Sequence, residues 1–306
     1  MLAGAVDFGG TKLMAGLVNE TGTIVAQQTA PTPKAEGPEA AAALAALMLR
    51  DLVSAQGLTT ADLVGVGSTV PGLADSRRGI LRYAPAHDWR DVPFAAMLTE
   101  QLGLPARIAN DVNACALAEL RFGAGRGVTN LLWITVSTGI GGALILDGRI
   151  HQGGGGIAGE VGHLIVDEEG PLCGCGHRGC LEAVAAGPAI ALRAQARGLF
   201  GADTPMVLAL ARRGEPLASQ VVRETAVYLG KAIALCYNLV DPDLVVFGGG
   251  VGQHVDLMKE TILSVVRERA ILLPARPPRI EKTSLGYEAA LIGAAALVLE
   301  GEAHVG

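Results

Sequence analysis

Residues 3–18, AGAVDFGGTKLMAGLV, consist of two apolar, strand-like runs joined by a glycine-containing turn. Residues 131–146, LLWITVSTGIGGALIL, repeat this arrangement. Elsewhere, buried strand-like runs alternate with Ala- and Leu-rich helical stretches, which is typical of an α/β protein whose sheets are largely covered. The doubled strand–turn–strand pattern therefore predicts two related domains that face a cleft.

The pattern also predicts where the two domains begin and end. The first thirty residues favour a three-stranded meander, and helices are expected at about 38–56 and 217–239. We expect a smaller N-terminal α/β domain over 1–112 and a larger C-terminal one over 113–287. A last helix, at about 288–302, is expected to pack back on the first domain.

Composition restricts the class of function. Of the 306 residues, 50% are hydrophobic and 18% are charged, and the formal net charge is −6. An acidic chain without a basic run argues against binding to nucleic acid or to a membrane surface. No apolar run approaches the roughly 18 residues of a membrane span, and the N-terminus lacks the pattern of a signal peptide. We therefore expect a cytoplasmic protein that acts on small molecules.

The first glycine turn carries groups that suit a phosphate. Gly9 and Gly10 would let backbone N–H groups approach an anion. Thr11 supplies a hydroxyl and Lys12 a positive charge. Asp7 could face Mg²⁺ through water. The turn lies between two strands, so it is neither a Walker A loop nor a dinucleotide fingerprint, both of which precede a helix. A plain hairpin turn explains the same residues.

Two further glycine motifs extend this interpretation. Residues 137–142, STGIGG, repeat a hydroxyl followed by glycines, and include Thr138, Gly139 and Gly141. Together the two hairpins suggest a site for a triphosphate. Gly248 to Gly250, after a buried strand, offer a surface on which a purine could lie, although a crowded strand-to-helix turn would need the same glycines.

Asn110 and Asp111 stand where a predicted strand ends and a helix begins. Both are preferred helix N-cap residues, so a structural role explains them. The functional alternative is that Asp111 accepts the proton of a substrate hydroxyl during phosphoryl transfer. The two roles are compatible, with Asn110 as cap and hydroxyl ligand.

Three of the five cysteines lie within residues 173–180, CGCGHRGC. His163 with Cys173, Cys175 and Cys180 forms the Cys₃His set of a closed structural zinc site. In a reducing compartment such a set favours zinc over a disulfide. Four protein ligands leave no open position for water, so the zinc is expected to shape a pocket and not to catalyse.

The remaining cysteines and the nearby polar residues have simpler expectations. Cys115 and Cys236 lie in apolar helical stretches and are predicted to be small core residues. His177 is expected to face solvent. Glu160 and Glu182 flank the zinc motif and are either surface acids or ligands of a substrate.

Taken in order, these motifs resemble the ROK family, and the resemblance covers essentially the whole chain. The matching stretches are DFGGTK (7–12), AND (109–111), STGIGG (137–142), GGGGIAGEVGH (153–163), CGCGHRGC (173–180), LE (181–182) and FGGG (247–250). The resemblance implies the two-domain actin-like ATPase (ribonuclease H-like) fold, with ATP and a hexose in the interdomain cleft. It also implies a homodimer or a higher homo-oligomer.

The resemblance also implies residue roles. Asp111 matches the base that takes the proton from the 6-hydroxyl of the sugar, and His163 would bind zinc through one ring nitrogen and the sugar through the other. The ligands of sugar hydroxyls would be Asn110, Glu160, His163 and Glu182. The ATP-binding residues would be Asp7, Gly9, Gly10, Thr11, Lys12, Thr138, Gly139, Gly141, Gly248, Gly249 and Gly250.

The expected activity is transfer of a phosphoryl group from Mg-ATP to O6 of a hexose, with glucose as the first choice. Fructose, N-acetylglucosamine and N-acetylmannosamine are alternatives, and a sugar-binding regulator without turnover is a further one. The sugar is expected near Gly72, where a pocket beside Leu73 open enough for an acetamido group would favour the amino sugars. Ala86 and Ala109 depart from the Asn and Glu that many family members have there.

Overall fold

The computed structural model describes residues 1–85 and 87–299. Over these residues the chain forms thirteen strands and ten α-helices, linked by turns and four short 3₁₀ segments. The strands are β1 (Leu2–Phe8), β2 (Lys12–Asn19), β3 (Ile24–Pro31), β4 (Val66–Val70), β5 (Leu73–Asp75), β6 (Ile80–Ala84), β7 (Trp89–Val92), β8 (Ala106–Asn110), β9 (Leu131–Val136), β10 (Ile140–Leu146), β11 (Arg149–His151), β12 (Leu244–Gly248) and β13 (Ile280–Lys282). The helices are α1 (Gly37–Ala55), α2 (Phe94–Leu102), α3 (Asp111–Phe122), α4 (Leu181–Ala185), α5 (Gly187–Ala196), α6 (Thr204–Arg212), α7 (Pro216–Val240), α8 (Gly249–Gly252), α9 (Lys259–Arg269) and α10 (Ala289–Leu299).

The strands form two five-stranded sheets and one three-stranded sheet over the described residues. The first sheet has the order β3-β2-β1-β4-β8, the second β11-β10-β9-β12-β13, and the small sheet β5-β6-β7. In the first, β1 and β2 and then β2 and β3 pair antiparallel, while β1, β4 and β8 run parallel. In the second, β12 pairs parallel with both β9 and β13. The predicted opening meander and the α/β class are confirmed.

The described chain divides into two compact units. The first comprises Met1–Gly127, Ile145–Ala158 and the described residues from Tyr287 onward, and the second comprises Val128–Leu144 and Gly159–Gly286. The core of the first unit packs β1 and β2 against α1 and α2, and that of the second packs β9 and β12 against α7 and α9. The predicted boundary at residues 112–113 remains a prediction.

The last helix, α10, packs against β1, β4 and α3 within the first unit. Two glycines allow this close approach. A Cβ at Gly67 in β4 would lie 1.7 Å from the carbonyl oxygen of Ala294, and a Cβ at Gly293 would lie 2.0 Å from that of Ala114. Both separations are impossible for real atoms, so a side chain at either glycine would force α10 away. Residues 300–302 of the predicted helix lie outside the described residues.

No helix in the described part of the chain has the length and apolar character that crossing a membrane requires.

Candidate functional site

The parallel strands of the first sheet bring two carboxylates to one edge. β1 and β8 both pair with β4 in the same direction, so their carboxyl ends lie at the same edge of the sheet. Asp7 is the penultimate residue of β1, and Asp111 directly follows β8. This edge is the usual place for ligand-binding groups in parallel α/β sheets.

Asp7 is held by a residue that the sequence analysis did not identify. The buried Thr69 in β4 donates its hydroxyl to Oδ1 of Asp7 at 2.6 Å and accepts the backbone N–H of Phe8 at 3.1 Å. Burial raises the pKa of Asp7, and the hydrogen bond from Thr69 opposes the rise. Thr69 therefore fixes the direction of the Asp7 carboxylate.

Asp111 is the first residue of α3. Its side chain has an accessible face. The surrounding protein atoms nevertheless exclude much of the water around the carboxyl group, and this desolvation raises its pKa to about 6. The negative charge of Asp7 adds to this rise, and hydrogen bonds from the start of the helix reduce it. A carboxylate with a pKa near 6 is ionised at neutral pH and is a stronger base than an ordinary aspartate.

Asn110 caps α3 and also contacts the glycine turn beside it. Its Oδ1 accepts the backbone N–H groups of Val112 at 2.9 Å and Asn113 at 3.4 Å. Its Nδ2 donates to the carbonyl oxygen of Gly72 at 2.8 Å. The predicted cap is therefore present, and Asn110 is joined to Gly72 by a hydrogen bond.

The first glycine turn, between β1 and β2, is a tight hairpin. The backbone N–H of Gly9 donates to the carbonyl oxygen of Lys12 at 3.0 Å, and Thr32 donates its hydroxyl to the carbonyl oxygen of Gly9 at 2.8 Å. Thr11 and Lys12 are exposed at its tip, and a Cβ at Gly10 would meet nothing within 4 Å. A hairpin turn is thus present, as the sequence allowed. Phosphate binding remains a prediction, and the open tip leaves space for a phosphate.

The second glycine turn is fixed by Glu182, the second residue of α4. Oε2 of Glu182 accepts the backbone N–H of Ile140 at 2.9 Å, and a Cβ at Gly139 would lie only 2.5 Å from the same oxygen. Thr138 is exposed, whereas Gly141 lies inside β10. Glu182 is half-buried, so it is not a simple surface acid.

Gly248, Gly249 and Gly250 form the crowded strand-to-helix turn that the sequence allowed. A Cβ at Gly248 would lie 2.3 Å from the indole ring of Trp133, and one at Gly249 would lie 2.5 Å from the carbonyl oxygen of Val136. Gly249 also has φ of +77°, a conformation that favours glycine. Packing alone therefore explains Gly248 and Gly249, and an adenosine-binding role for the triplet remains a prediction.

His163, Cys173, Cys175 and Cys180 come together as one cluster, and their ligand atoms all lie within 4.8 Å of one another. Sγ of Cys173 is 3.8 Å from Nδ1 of His163, and Sγ of Cys175 is 3.6 Å from Sγ of Cys180. Zinc bonds of about 2.0–2.3 Å at tetrahedral angles place neighbouring ligand atoms roughly 3.5–3.8 Å apart. The four residues could therefore hold a zinc ion, and a disulfide is absent from the described cysteines.

The other nitrogen of His163 points towards Glu160. Nε2 of His163 lies 4.0 Å from Oε2 of Glu160, and both side chains are exposed. His163 can thus direct Nδ1 to the cysteine cluster and leave Nε2 for another partner. Sγ of Cys173 is also 4.0 Å from Oε1 of Glu182, so the cluster adjoins the acid that fixes the second glycine turn.

The loop that carries the cysteines is attached to α7 by two side chains that sequence reasoning missed. Tyr228 donates its hydroxyl to Oδ2 of Asp167 at 3.0 Å, and Nζ of Lys231 donates to the carbonyl oxygen of Val166 at 3.0 Å. Neither side chain belongs to a motif, so spacing along the chain carries no signal for them.

The remaining predicted positions are also accounted for. Cys236 is buried within α7, and Cys115 is half-buried within α3, as expected of small packing residues. His177 is exposed, as predicted, with Nδ1 3.6 Å from Sγ of Cys175. Ala109 is fully buried in β8, where it pairs with Thr69. Ala86 lies outside the described residues.

Comparison with known proteins gives a consistent result. Residues 3–301 match the ROK family. The chain is 34% identical to a glucokinase of Streptomyces coelicolor over 315 residues, covering 96% of both chains. It is 36% identical to an N-acetylmannosamine kinase of Citrobacter koseri over 301 residues, covering 96% of this chain and 97% of the relative.

A solved structure extends the comparison to three dimensions. The ROK family glucokinase of Streptomyces griseus, determined with glucose and AMPPNP, superposes with a TM-score of 0.79 at 34% identity. The superposition covers 98% of this chain and all of that one. The actin-like ATPase fold expected from the motifs is confirmed. The chain belongs to the ROK family, and within it to the sugar kinases.

Proposed function

We propose that this enzyme transfers the γ-phosphoryl group of Mg-ATP to O6 of a hexose, and that the hexose is glucose. The observation that carries the proposal is the position of Asp111, which follows β8 beside the Asn110–Gly72 contact and has a pKa raised to about 6. The similarity to glucokinases, one of them determined with glucose and an ATP analogue, supports this choice of acceptor and donor.

In this proposal Asp111 orients the 6-hydroxyl of the sugar and accepts its proton late in the transfer. The transition state of phosphoryl transfer is loose, so positioning and charge stabilisation provide most of the catalysis. The second amide hydrogen of Asn110 and the exposed edge of Gly72 would hold neighbouring hydroxyls. Mg²⁺ bound with ATP would supply positive charge to the phosphate oxygens.

The hydroxyl-ligand roles of Glu160, His163 and Glu182 rest on the family resemblance. The exposed Nε2 of His163 and the exposed carboxylate of Glu160 are free to contact a ligand. The zinc that the cysteine cluster could hold would keep the imidazole of His163 in one orientation.

An N-acetylated hexosamine is the second candidate acceptor. The Leu73 end of a cavity of about 430 Å³ lies next to Gly72 and could take an acetamido group. The similarity to an N-acetylmannosamine kinase supports the same alternative.

The test is ADP release from Mg-ATP by zinc-replete protein with glucose, fructose, mannose, N-acetylglucosamine and N-acetylmannosamine. We expect turnover on the order of 1–100 s⁻¹ with glucose and less with the others. Faster turnover with an N-acetylated sugar would replace the acceptor. The absence of sugar-dependent ADP release from folded protein would contradict a kinase and favour a regulator that only binds sugar.

The pH dependence of the reaction should follow Asp111. Below its pKa the carboxyl is protonated and cannot accept a proton, so kcat/KM for the sugar should rise with pH through about 6 and then level off. Initial rates between pH 5 and 8 at saturating Mg-ATP measure this profile. A profile that is flat across pH 5 to 7 would show that no base with this pKa takes part.

Glu182 should affect nucleotide binding because it fixes the second glycine turn. We expect Glu182→Ala, which removes the acceptor of the Ile140 N–H, to raise KM for ATP about three- to tenfold, the value of one hydrogen bond. Glu182→Gln keeps an acceptor oxygen and serves as the matched control, with a smaller rise. Equal KM values for ATP in the two variants would contradict this role.

A further inference from the structure

The cavity that begins at Leu73 has a basic end that the proposed function does not use. It lies within the first unit and is lined by two segments, Leu73–Arg82 and Gln152–Gly156. Arg77, Arg78 and Arg82 are among its lining residues. We call it the arginine–glycine cavity. Its volume of about 430 Å³ is in the range of small-molecule sites.

The arginine–glycine cavity carries excess positive charge in an acidic protein. Arg82 forms ion pairs with Asp75 at 3.4 Å and Asp91 at 2.7 Å. Arg78 contacts Asp75 only at 4.0 Å, and its side chain is 70% exposed. Arg77 is exposed and forms no ion pair or hydrogen bond within the described part of the chain. Three guanidinium groups therefore meet two carboxylates, and Arg77 in particular remains available to an anion.

The opposite wall consists of backbone. Gly153 to Gly156 carry no side chains, and none of their N–H groups donates a hydrogen bond within the described residues. Gly153 and Gly156 have φ of +71° and +78°, and a Cβ at Gly154 or Gly155 would meet nothing within 4 Å. Successive free amides in such a turn are a common way of binding phosphate oxygens.

The two walls are connected to each other. Nε2 of Gln152 donates to the hydroxyl of Ser76 at 2.8 Å, which ties the glycine run to the turn that carries Arg77 and Arg78. This contact limits how far the two walls can separate. An anion entering the cavity would meet donors from both sides without a large rearrangement.

We propose that the arginine–glycine cavity binds the phosphate group of a small phosphorylated sugar, as a second ligand separate from the hexose acceptor. The choice of a sugar phosphate rests on the proposed function, because that reaction releases one. The anion-binding property itself rests only on the arginines and the free amides.

Binding is tested without nucleotide, so that its result does not depend on catalysis. Inorganic phosphate and glucose 6-phosphate are titrated into the full chain by calorimetry, in the presence and absence of saturating glucose. The test variant is Arg77→Ala with Arg78→Ala. The control is Arg223→Ala with Arg267→Ala, which removes the same charge from exposed positions on α7 and α9.

With saturating glucose filling the acceptor site, we expect each probe to bind the unaltered chain and the control with the same affinity. Binding to the Arg77→Ala/Arg78→Ala variant should be about tenfold weaker or more, the effect of losing charge-assisted hydrogen bonds. Unchanged binding in that variant, no binding to the unaltered chain, or displacement of inorganic phosphate by glucose would each overturn the proposal. ADP release by the same variants reports separately on the kinase reaction.

Discussion

Replacing Asp111 by asparagine should lower kcat by about 10²–10⁴-fold, the usual contribution of a positioned general base. Asparagine has nearly the same shape and can still hold a hydroxyl, but it cannot accept a proton. Hexose binding should therefore change only a few-fold. The measurements are the steady-state rate of ADP release and the Kd for the hexose, determined by equilibrium titration.

The matched control is Asp51→Asn, at an exposed position on α1 of the same unit. It removes the same charge from the chain and should leave kcat unchanged. A kcat for Asp111→Asn within about tenfold of the unaltered enzyme would mean that another group takes the proton. A large loss of hexose affinity together with kcat would instead indicate that Asp111 mainly holds the sugar.

Removing one sulfur ligand from the cysteine cluster should have the second-largest effect. Cys180 is fully buried and Cys173 is nearly so, and without an ion their sulfur atoms and His163 would lose a shared partner. Cys180→Ser should abolish stoichiometric zinc binding. We expect the free energy of unfolding to fall by about 3 kcal/mol. For a domain of about 150–250 residues this lowers Tm by roughly 6–12 °C.

Metal analysis of purified protein, calorimetric melting and the KM for the hexose measure these effects. Cys236→Ser is the control, since Cys236 lies in α7 and outside the cluster. It should keep one zinc per chain. We expect KM for the hexose to rise in Cys180→Ser because His163 is no longer oriented. A structural metal would be contradicted if the unaltered chain is isolated without zinc and the Cys180→Ser and Cys236→Ser variants have the same Tm.

Much of this structure can be predicted from local signals. The opening hairpin, the capped start of α3 and the Cys₃His set are encoded by residues near one another in sequence, and the structure contains all three. Glycine patterns were less specific. The sequence could not separate a phosphate-binding turn from a crowded one at Gly248 and Gly249, because both need the same small residue.

Contacts between distant residues had no comparable signal. Gly67 and Ala294 are more than two hundred residues apart in the sequence but in close contact. No residue pattern near either position indicates this contact. The same holds for Thr69 with Asp7 and for Glu182 with Ile140. A pocket beside Leu73 was expected, but its arginine wall was not, because nothing in the sequence around residue 77 indicates that the fold places it beside the glycine run at 153–156.

The proposed reaction places the phosphate on O6 of the hexose. Its most direct test is to incubate zinc-replete protein with Mg-ATP and glucose, and to locate the phosphate in the product by ¹H–³¹P NMR correlation. We expect one phosphate monoester per ADP, coupled to the two protons on C6. A product phosphorylated at another carbon, or ADP formed without any sugar phosphate, would contradict it.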